Sequence, residues 1–413
     1  MTRPVPLHAA PADADAGPSV GRGAPGRVTT VHRQTRCGLL VASGFTGAAV
    51  VTGLAGARTG WWLPLHLFVV GGLLSAISAT TQMLAVTWSA APAPRPVVAG
   101  AQRWALTAGA VALVVGRETD VAWLFVAGGT TVVAAMLALA SILVQVRRQA
   151  VTDRFAPAIE AYVAAVGAGA VGMSLGIVLG AGWAGTRTVE LRGAHLVLNM
   201  FGLVGLVIAG TLPYLAATQV RAKMTSRATP TRMRVTFLAL AAAAVLAATG
   251  RILEQPVVVA VGLLTYALGL VMIAVMLPVY KRARLEWAGP RALQLLAGLA
   301  WWAAMTVALA VAAVQRSGDR AILQTLVIGG FAQILVASLA YLGPVLRGGG
   351  HQRLTAGFAL TRSWVSLAAG NTAALAALVD HSPTLAVVLA VWLTDLAARV
   401  LCLLARTRST HHV

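Results

Sequence analysis

Residues 256–280 read PVVVAVGLLTYALGLVMIAVMLPVY and contain no charged side chain. The core of a bilayer is about 30 Å thick, so a helix needs about 20 consecutive apolar residues to cross it. Because backbone polar groups cannot stay unpaired in lipid, such a stretch has to be helical. These residues therefore predict a transmembrane helix.

Similar apolar stretches fill most of the chain between residues 37 and 405. They predict an all-α, polytopic integral membrane protein of about 12 transmembrane helices, embedded in the lipid bilayer of the cell membrane. The flanking residues 1–36 and 406–413 predict a disordered N-terminal tail and a short C-terminal tail. The predicted spans are 37–57, 62–88, 100–116, 121–146, 156–181, 193–218, 233–250, 256–280, 291–314, 321–346, 355–379 and 383–405.

The composition agrees with this class of protein. Hydrophobic residues make up 58% of the chain and charged residues only 11%, whereas about a quarter of a soluble domain is charged. The formal net charge of +20 would suggest nucleic-acid binding in a soluble protein. Here the positive residues lie in short loops between spans, so membrane topology explains them and no nucleic-acid partner is expected.

The distribution of Lys and Arg predicts the orientation of the chain. Of the 32 Lys and Arg residues, 24 fall on the side of the predicted spans that carries both termini, and 7 fall on the other side. Because positive residues are enriched in cytoplasmic loops, both termini are predicted to be cytoplasmic. An even number of spans follows from that arrangement.

Two histidines near the outer ends of predicted spans are the first candidates for chemistry. His66 lies in the second predicted span and His195 in the sixth, each about one turn below the outer surface. Asn199 lies four residues after His195 and shares its helical face. Histidine is the commonest metal ligand and a usual haem ligand, although a histidine near a helix end can also be interfacial and solvated.

Asp395 and Arg399 are the charged pair of the last predicted span. Charged residues inside a membrane are costly and face the interior of the bundle or water. A spacing of four residues places them on the same face, so we interpret them as an ion pair within the helix. A role in a proton or anion path is the alternative.

Three stretches of the chain form a recognisable set. They are Trp62-Leu-Pro-Leu-His66-Leu, His195-x3-Asn199-x2-Gly202-x2-Gly205, and Gly329-Gly330-Phe331 leading to Leu339-Ala340-Tyr341-Leu342-Gly343-Pro344. These stretches resemble the membrane domain of actinobacterial proteins that are sometimes fused to copper nitrite reductase. That domain is similar to the NnrS family, polytopic membrane proteins associated with haem, copper and nitric-oxide stress, and it is distantly like subunit I of haem–copper oxidases.

The resemblance implies a haem or copper site near the outer face, with His66 and His195 as ligands and Asn199 as their hydrogen-bonding neighbour. It also implies a cupredoxin or a nitrite-reductase-type protein as redox partner. The family tends to carry further histidines late in the second span and in the tenth span, where this chain has Gln82, Gln324 and Ser338. These departures imply a reduced set of cofactors or none.

Two other functions remain open from the sequence. The same polar residues could line the substrate path of a transporter or permease. The chain could also be a membrane scaffold without a cofactor.

Overall fold

The computed structural model describes residues 24–348 and 350–405, in which all regular structure is helical. We number the helices in chain order. They are α1 Ala24–Ala55, α2 Trp62–Ser89, α3 Pro96–Glu118, α4 Ala122–Arg148, α5 Asp153–Gly180, α6 Gly185–Gln219, α7 Pro230–Ile252, α8 Pro256–Met276, α9 Arg282–Ala288, α10 Pro290–Gln315, α11 Arg320–Arg347, α12 Gly350–Leu360, α13 Trp364–Leu378 and α14 Ser382–Ala405.

Eleven of these helices are long and apolar enough to cross a membrane, as expected of a multi-pass membrane protein in contact with lipid. The three shorter ones are α9, α12 and α13. Four of the long helices, α3, α7, α8 and α10, begin at a proline. Proline suits a first helical position because the backbone N–H that it lacks would have no partner in the helix there.

The helix α1 begins earlier than the sequence suggested. The sequence predicts a disordered tail over residues 1–36. Residues 1–23 of that tail lie outside the described residues, whereas residues 24–36 form the first turns of α1. Val31 and Thr35 are each 1% exposed, and the Thr35 hydroxyl lies 3.4 Å from the carbonyl oxygen of Ala79 on α2. This segment is helical because it packs against the bundle. The predicted C-terminal tail, 406–413, lies outside the described residues.

The prediction of one continuous helix over residues 355–379 is wrong. The structure has two helices there, α12 and α13, which are separated by Thr361, Arg362 and Ser363. The Ser363 hydroxyl accepts a hydrogen bond of 2.9 Å from the backbone N–H of Ser366 and so caps α13. Because α13 has 15 residues, it is about 22 Å long, shorter than a bilayer core.

Glycines allow consecutive helices to approach closely. Helices α3 and α4 pack along much of their length. A Cβ atom built on Gly109 of α3 would lie 2.9 Å from the carbonyl oxygen of Gly128 on α4, so the two backbones are in contact. Small residues at such contacts are typical of helix packing in membranes. There the hydrophobic effect does not drive helices together, so close packing has to stabilise their association.

Three of the long helices contain a wider, π-helical segment: Leu67–Leu73 in α2, Leu198–Gly205 in α6 and Leu326–Ala332 in α11. Each begins with a leucine, and the fifth residue of each is a glycine: Gly71, Gly202 and Gly330. Segments of this kind are rare and frequently occur at functional sites. The first begins directly after His66, and the second begins three residues after His195.

The predicted orientation can be tested by reporter fusions. Fusions placed after Arg117 or Arg251, at the C-terminal ends of α3 and α7, should read extracellular. Fusions after Arg227 or Arg284, on the opposite side of the bundle, should read cytoplasmic. A single inverted reporter among the four would contradict the predicted topology.

Candidate functional site

His66 lies in the first turns of α2, held by its own helix. Its Nδ1 atom lies 2.8 Å from the carbonyl oxygen of Trp62, and the Trp62 ring stacks on the imidazole with centroids 4.0 Å apart. The guanidinium of Arg117 lies 5.9 Å from the centroid of the Trp62 ring and donates to the carbonyl of Gly180 on α5. The half-buried imidazole therefore has a fixed orientation near the N-terminal end of α2.

His195 is held by a neighbouring helix. Its Nδ1 atom lies 2.7 Å from the carbonyl oxygen of Gly172 on α5. The side-chain amide of Asn199 donates to the carbonyl oxygen of His195 at 2.8 Å. A Cβ atom on Gly176 would lie 2.7 Å from Cε1 of the imidazole, so the ring packs directly against the backbone of α5.

These contacts determine which ring nitrogen of each histidine is free. A carbonyl oxygen only accepts hydrogen bonds, so Nδ1 of His66 and Nδ1 of His195 each carry a proton. The amide nitrogen of Asn199 lies 3.3 Å from Nδ1 of His195, but both atoms are donors. The amide therefore donates to the backbone carbonyl oxygen of His195 instead. In the neutral imidazoles the lone pair is on Nε2. A backbone carbonyl on Nδ1 is the arrangement that orients histidines as metal ligands.

The two histidines lie near one another. They are within the range over which a charge on one imidazole would affect the other, although they are about 130 residues apart in the chain. The third helix with a π-helical segment, α11, has two glutamines, Gln324 and Gln333, and no histidine. The pair His66 and His195, with Asn199 beside it, is the candidate site.

The donor set fits one kind of metal centre better than another. Within residues 24–348 and 350–405, no group of three or more His, Cys, Asp or Glu side chains could hold a metal ion. Copper sites are usually built from three or more protein ligands. A haem iron already has four ligands from its porphyrin and needs only two axial ligands, so two imidazoles with free Nε2 atoms match haem better than copper.

Asp395 and Arg399 lie in the second half of α14. The Arg399 guanidinium contacts the Asp395 carboxylate at 2.9 Å. It also donates to the carbonyl oxygens of Leu360 and Arg362, at 2.8 Å and 2.7 Å, where the chain breaks between α12 and α13. The pair therefore satisfies the backbone at that break.

Sequence reasoning did not identify the glycines of α5 as part of the site. Gly172 accepts the hydrogen bond of His195, and Gly176 gives the imidazole room. Gly169, Gly172 and Gly176 follow one another at spacings of three and four residues, and this pattern was the available signal for a close helix contact. Which helix they contact could not be read from the sequence.

A single methyl group on α5 should disturb His195. We expect Gly176→Ala to lower the melting temperature, because the new Cβ atom would displace the imidazole from the Gly172 carbonyl, at a cost of about 1–3 kcal/mol. The matched control is Gly167→Ala on the same helix, where a Cβ atom meets nothing within 4 Å. Alanine there should leave the melting temperature unchanged or raise it. Equal melting temperatures for the two variants would contradict this role of Gly176.

No protein-family model matches the sequence, and no curated protein matches it significantly. The function of the chain is therefore inferred from the residues of the site.

Proposed function

We propose that the protein is a membrane-embedded haem protein in which His66 and His195 would hold the iron. The observation that carries this proposal is that a backbone carbonyl binds Nδ1 of each imidazole and leaves Nε2 of each available. The resemblance of these segments to NnrS proteins and to subunit I of haem–copper oxidases supports the same assignment.

Each residue of the site has a distinct part in this function. His66 and His195 would hold the iron, and the backbone carbonyls of Trp62 and Gly172 fix the orientation of the two rings. Asn199 is a positioning residue, because it bonds the backbone of His195 one turn away. A haem held by two imidazoles supplies one-electron transfer, and its environment in the protein sets the potential.

The proposed role in the cell is electron transfer in nitrogen-oxide or redox metabolism, with a cupredoxin or nitrite-reductase-type protein as partner. The position of the two histidines at the outer ends of α2 and α6 supports a partner on the outer side of the membrane. The 24-to-7 distribution of Lys and Arg supports that orientation.

An optical spectrum of the protein tests the proposal. Protein produced with an adequate haem supply and purified in detergent should show a Soret band, with sharp visible bands after reduction. Elemental analysis should find iron in proportion to protein. Copper without iron would favour a copper site at the same histidines, and the absence of both metals would contradict the proposal.

A further inference from the structure

Arg291, the second residue of α10, is a buried arginine with most of its hydrogen-bonding capacity unused. Its side chain is 1% exposed. Nε donates to the carbonyl oxygen of Ala288 at 3.1 Å, whereas Nη1 and Nη2 have no partner among the described residues. Burying a charged group without partners costs several kcal/mol, so an arrangement of this kind indicates a missing partner.

Aromatic rings surround this guanidinium. Its Cζ atom lies 5.2 Å from the ring centroid of Trp287, 5.0 Å from that of Phe358 and 5.8 Å from that of Tyr341. Cation–π contacts stabilise a guanidinium, but they use the face of the group and leave its N–H donors free. The rings therefore hold the guanidinium in place without satisfying Nη1 and Nη2.

Two further arginines converge on the same place. The guanidinium of Arg221 lies 4.0 Å from the centroid of the Trp287 ring, and Nη2 of Arg362 donates to the Trp287 carbonyl oxygen. Both charges act on Arg291, and Nε of Arg362 is also buried without a partner. We call this group the Arg291 cluster. It consists of Arg221, Trp287, Arg291, Tyr341, Phe358 and Arg362.

No carboxylate among the described residues acts on Arg291. Other arginines at the inner end of the bundle do have a carboxylate partner. There Glu160 forms ion pairs with Arg234 at 2.7 Å and with Arg147 at 3.4 Å, so positive charge is compensated by an acid. Three converging guanidiniums without such an acid make a strongly positive site in a low-dielectric environment.

We infer that the Arg291 cluster binds a phosphate-type oxyanion, either the head group of an anionic phospholipid or free phosphate. A phosphate oxygen pair matches the two free N–H groups of a guanidinium fork, and guanidinium is the side-chain group best suited to that geometry. The cluster lies at the inner end of the bundle, where basic pockets between helices bind lipid head groups. Arg221 is exposed and marks the side from which the anion enters.

The test compares melting temperatures in nanodiscs of defined composition. The wild-type protein and Arg291→Gln are measured in phosphatidylcholine alone, in phosphatidylcholine with phosphatidylglycerol, and in phosphatidylcholine with inorganic phosphate at matched ionic strength. In phosphatidylcholine alone, Arg291→Gln should melt no lower than the wild type, because it removes an uncompensated buried charge. With the anion, the wild type should gain about 5 °C more than Arg291→Gln.

Two further variants make the result specific. Arg282→Gln on α9 removes a charge at the same end of the bundle, but its side chain is 95% exposed and paired with Glu286, so it should respond as the wild type does. Arg221→Gln removes the exposed member of the cluster and should lose part of the gain. Because Arg221 is exposed, its substitution should not prevent folding, so the comparison with the wild type can still be made if Arg291→Gln does not fold.

The two anion conditions identify the ligand. A gain with phosphatidylglycerol alone assigns the site to a lipid head group, and a gain with inorganic phosphate assigns it to the free anion. Either result supports the inference. Equal responses of the wild type, Arg221→Gln and Arg291→Gln, or no response to either anion, would overturn it.

Discussion

His66→Ala and His195→Ala should each abolish the haem signal of the purified protein while leaving the helical fold intact. Each substitution removes one of the two side chains proposed to hold the iron. Loss of a residue that only orients a metal ligand lowers metal affinity about 10- to 100-fold, so loss of the ligand itself should exceed about 100-fold. The measurement is the Soret absorbance per protein, with circular dichroism and gel filtration to verify the fold.

Asn199→Ala should have an intermediate effect. It keeps both imidazoles and their backbone partners and removes only the hydrogen bond to the His195 carbonyl oxygen, so the decrease in haem affinity should be smaller than the about 10- to 100-fold expected when a hydrogen-bonding partner of a ligand ring is lost. The matched control is His381→Ala. His381 is exposed, and its Nδ1 atom accepts from the backbone N–H of Thr384 at 3.3 Å at the start of α14. A normal Soret band in either His66→Ala or His195→Ala would contradict the proposed ligation.

The second large effect is expected at the break between α12 and α13. Arg399→Gln should cost about 3–5 kcal/mol of stability, since it leaves the Asp395 carboxylate without its cation. It also leaves the carbonyl oxygens of Leu360 and Arg362 without the donors that Arg399 supplies. Asp395→Asn should cost less, because the amide still accepts from the Ser363 hydroxyl, which donates to Asp395 at 2.6 Å.

The double variant separates the ion pair from the backbone contacts. Asp395→Asn with Arg399→Gln should melt above Arg399→Gln, since no unpaired charge remains, but below the wild type, since the two carbonyls stay unsatisfied. The control is the exposed pair Arg282 and Glu286, also four residues apart, where neutralising one partner should leave the melting temperature unchanged. If the double variant is the least stable of the three, the pairing is not what stabilises the break.

The position of this ion pair explains why its loss should matter. Helix α14 lies at the periphery, with only 11% of its most apolar window buried. In lipid, apolar residues give little drive for such a helix to pack against its neighbours. Polar contacts hold it instead. Besides Asp395 and Arg399, the buried Trp392 donates its indole N–H to the Ser366 hydroxyl of α13 at 2.8 Å.

The sequence by itself determined the class of the protein and most of its helices. Long uncharged stretches such as 256–280 have to be helical in lipid, because only a helix pairs each backbone polar group within the same segment. Hydropathy failed where tertiary contacts decide local structure. Residues 24–36 are polar but helical because they pack on α2, and residues 361–363 interrupt an apolar stretch because Arg399 satisfies the exposed carbonyls.

For the candidate site, too, the sequence predicted some features and the tertiary structure was needed for others. The sequence placed His66, His195 and Asn199 in the N-terminal halves of their helices, because helical spacing and span boundaries are local properties. Only the tertiary structure showed that Gly172 binds Nδ1 of His195 and that three arginines meet around Trp287, with no carboxylate among the described residues acting on Arg291. These contacts join different helices, and their pairing depends on how the helices pack rather than on the spacing of residues along any one of them.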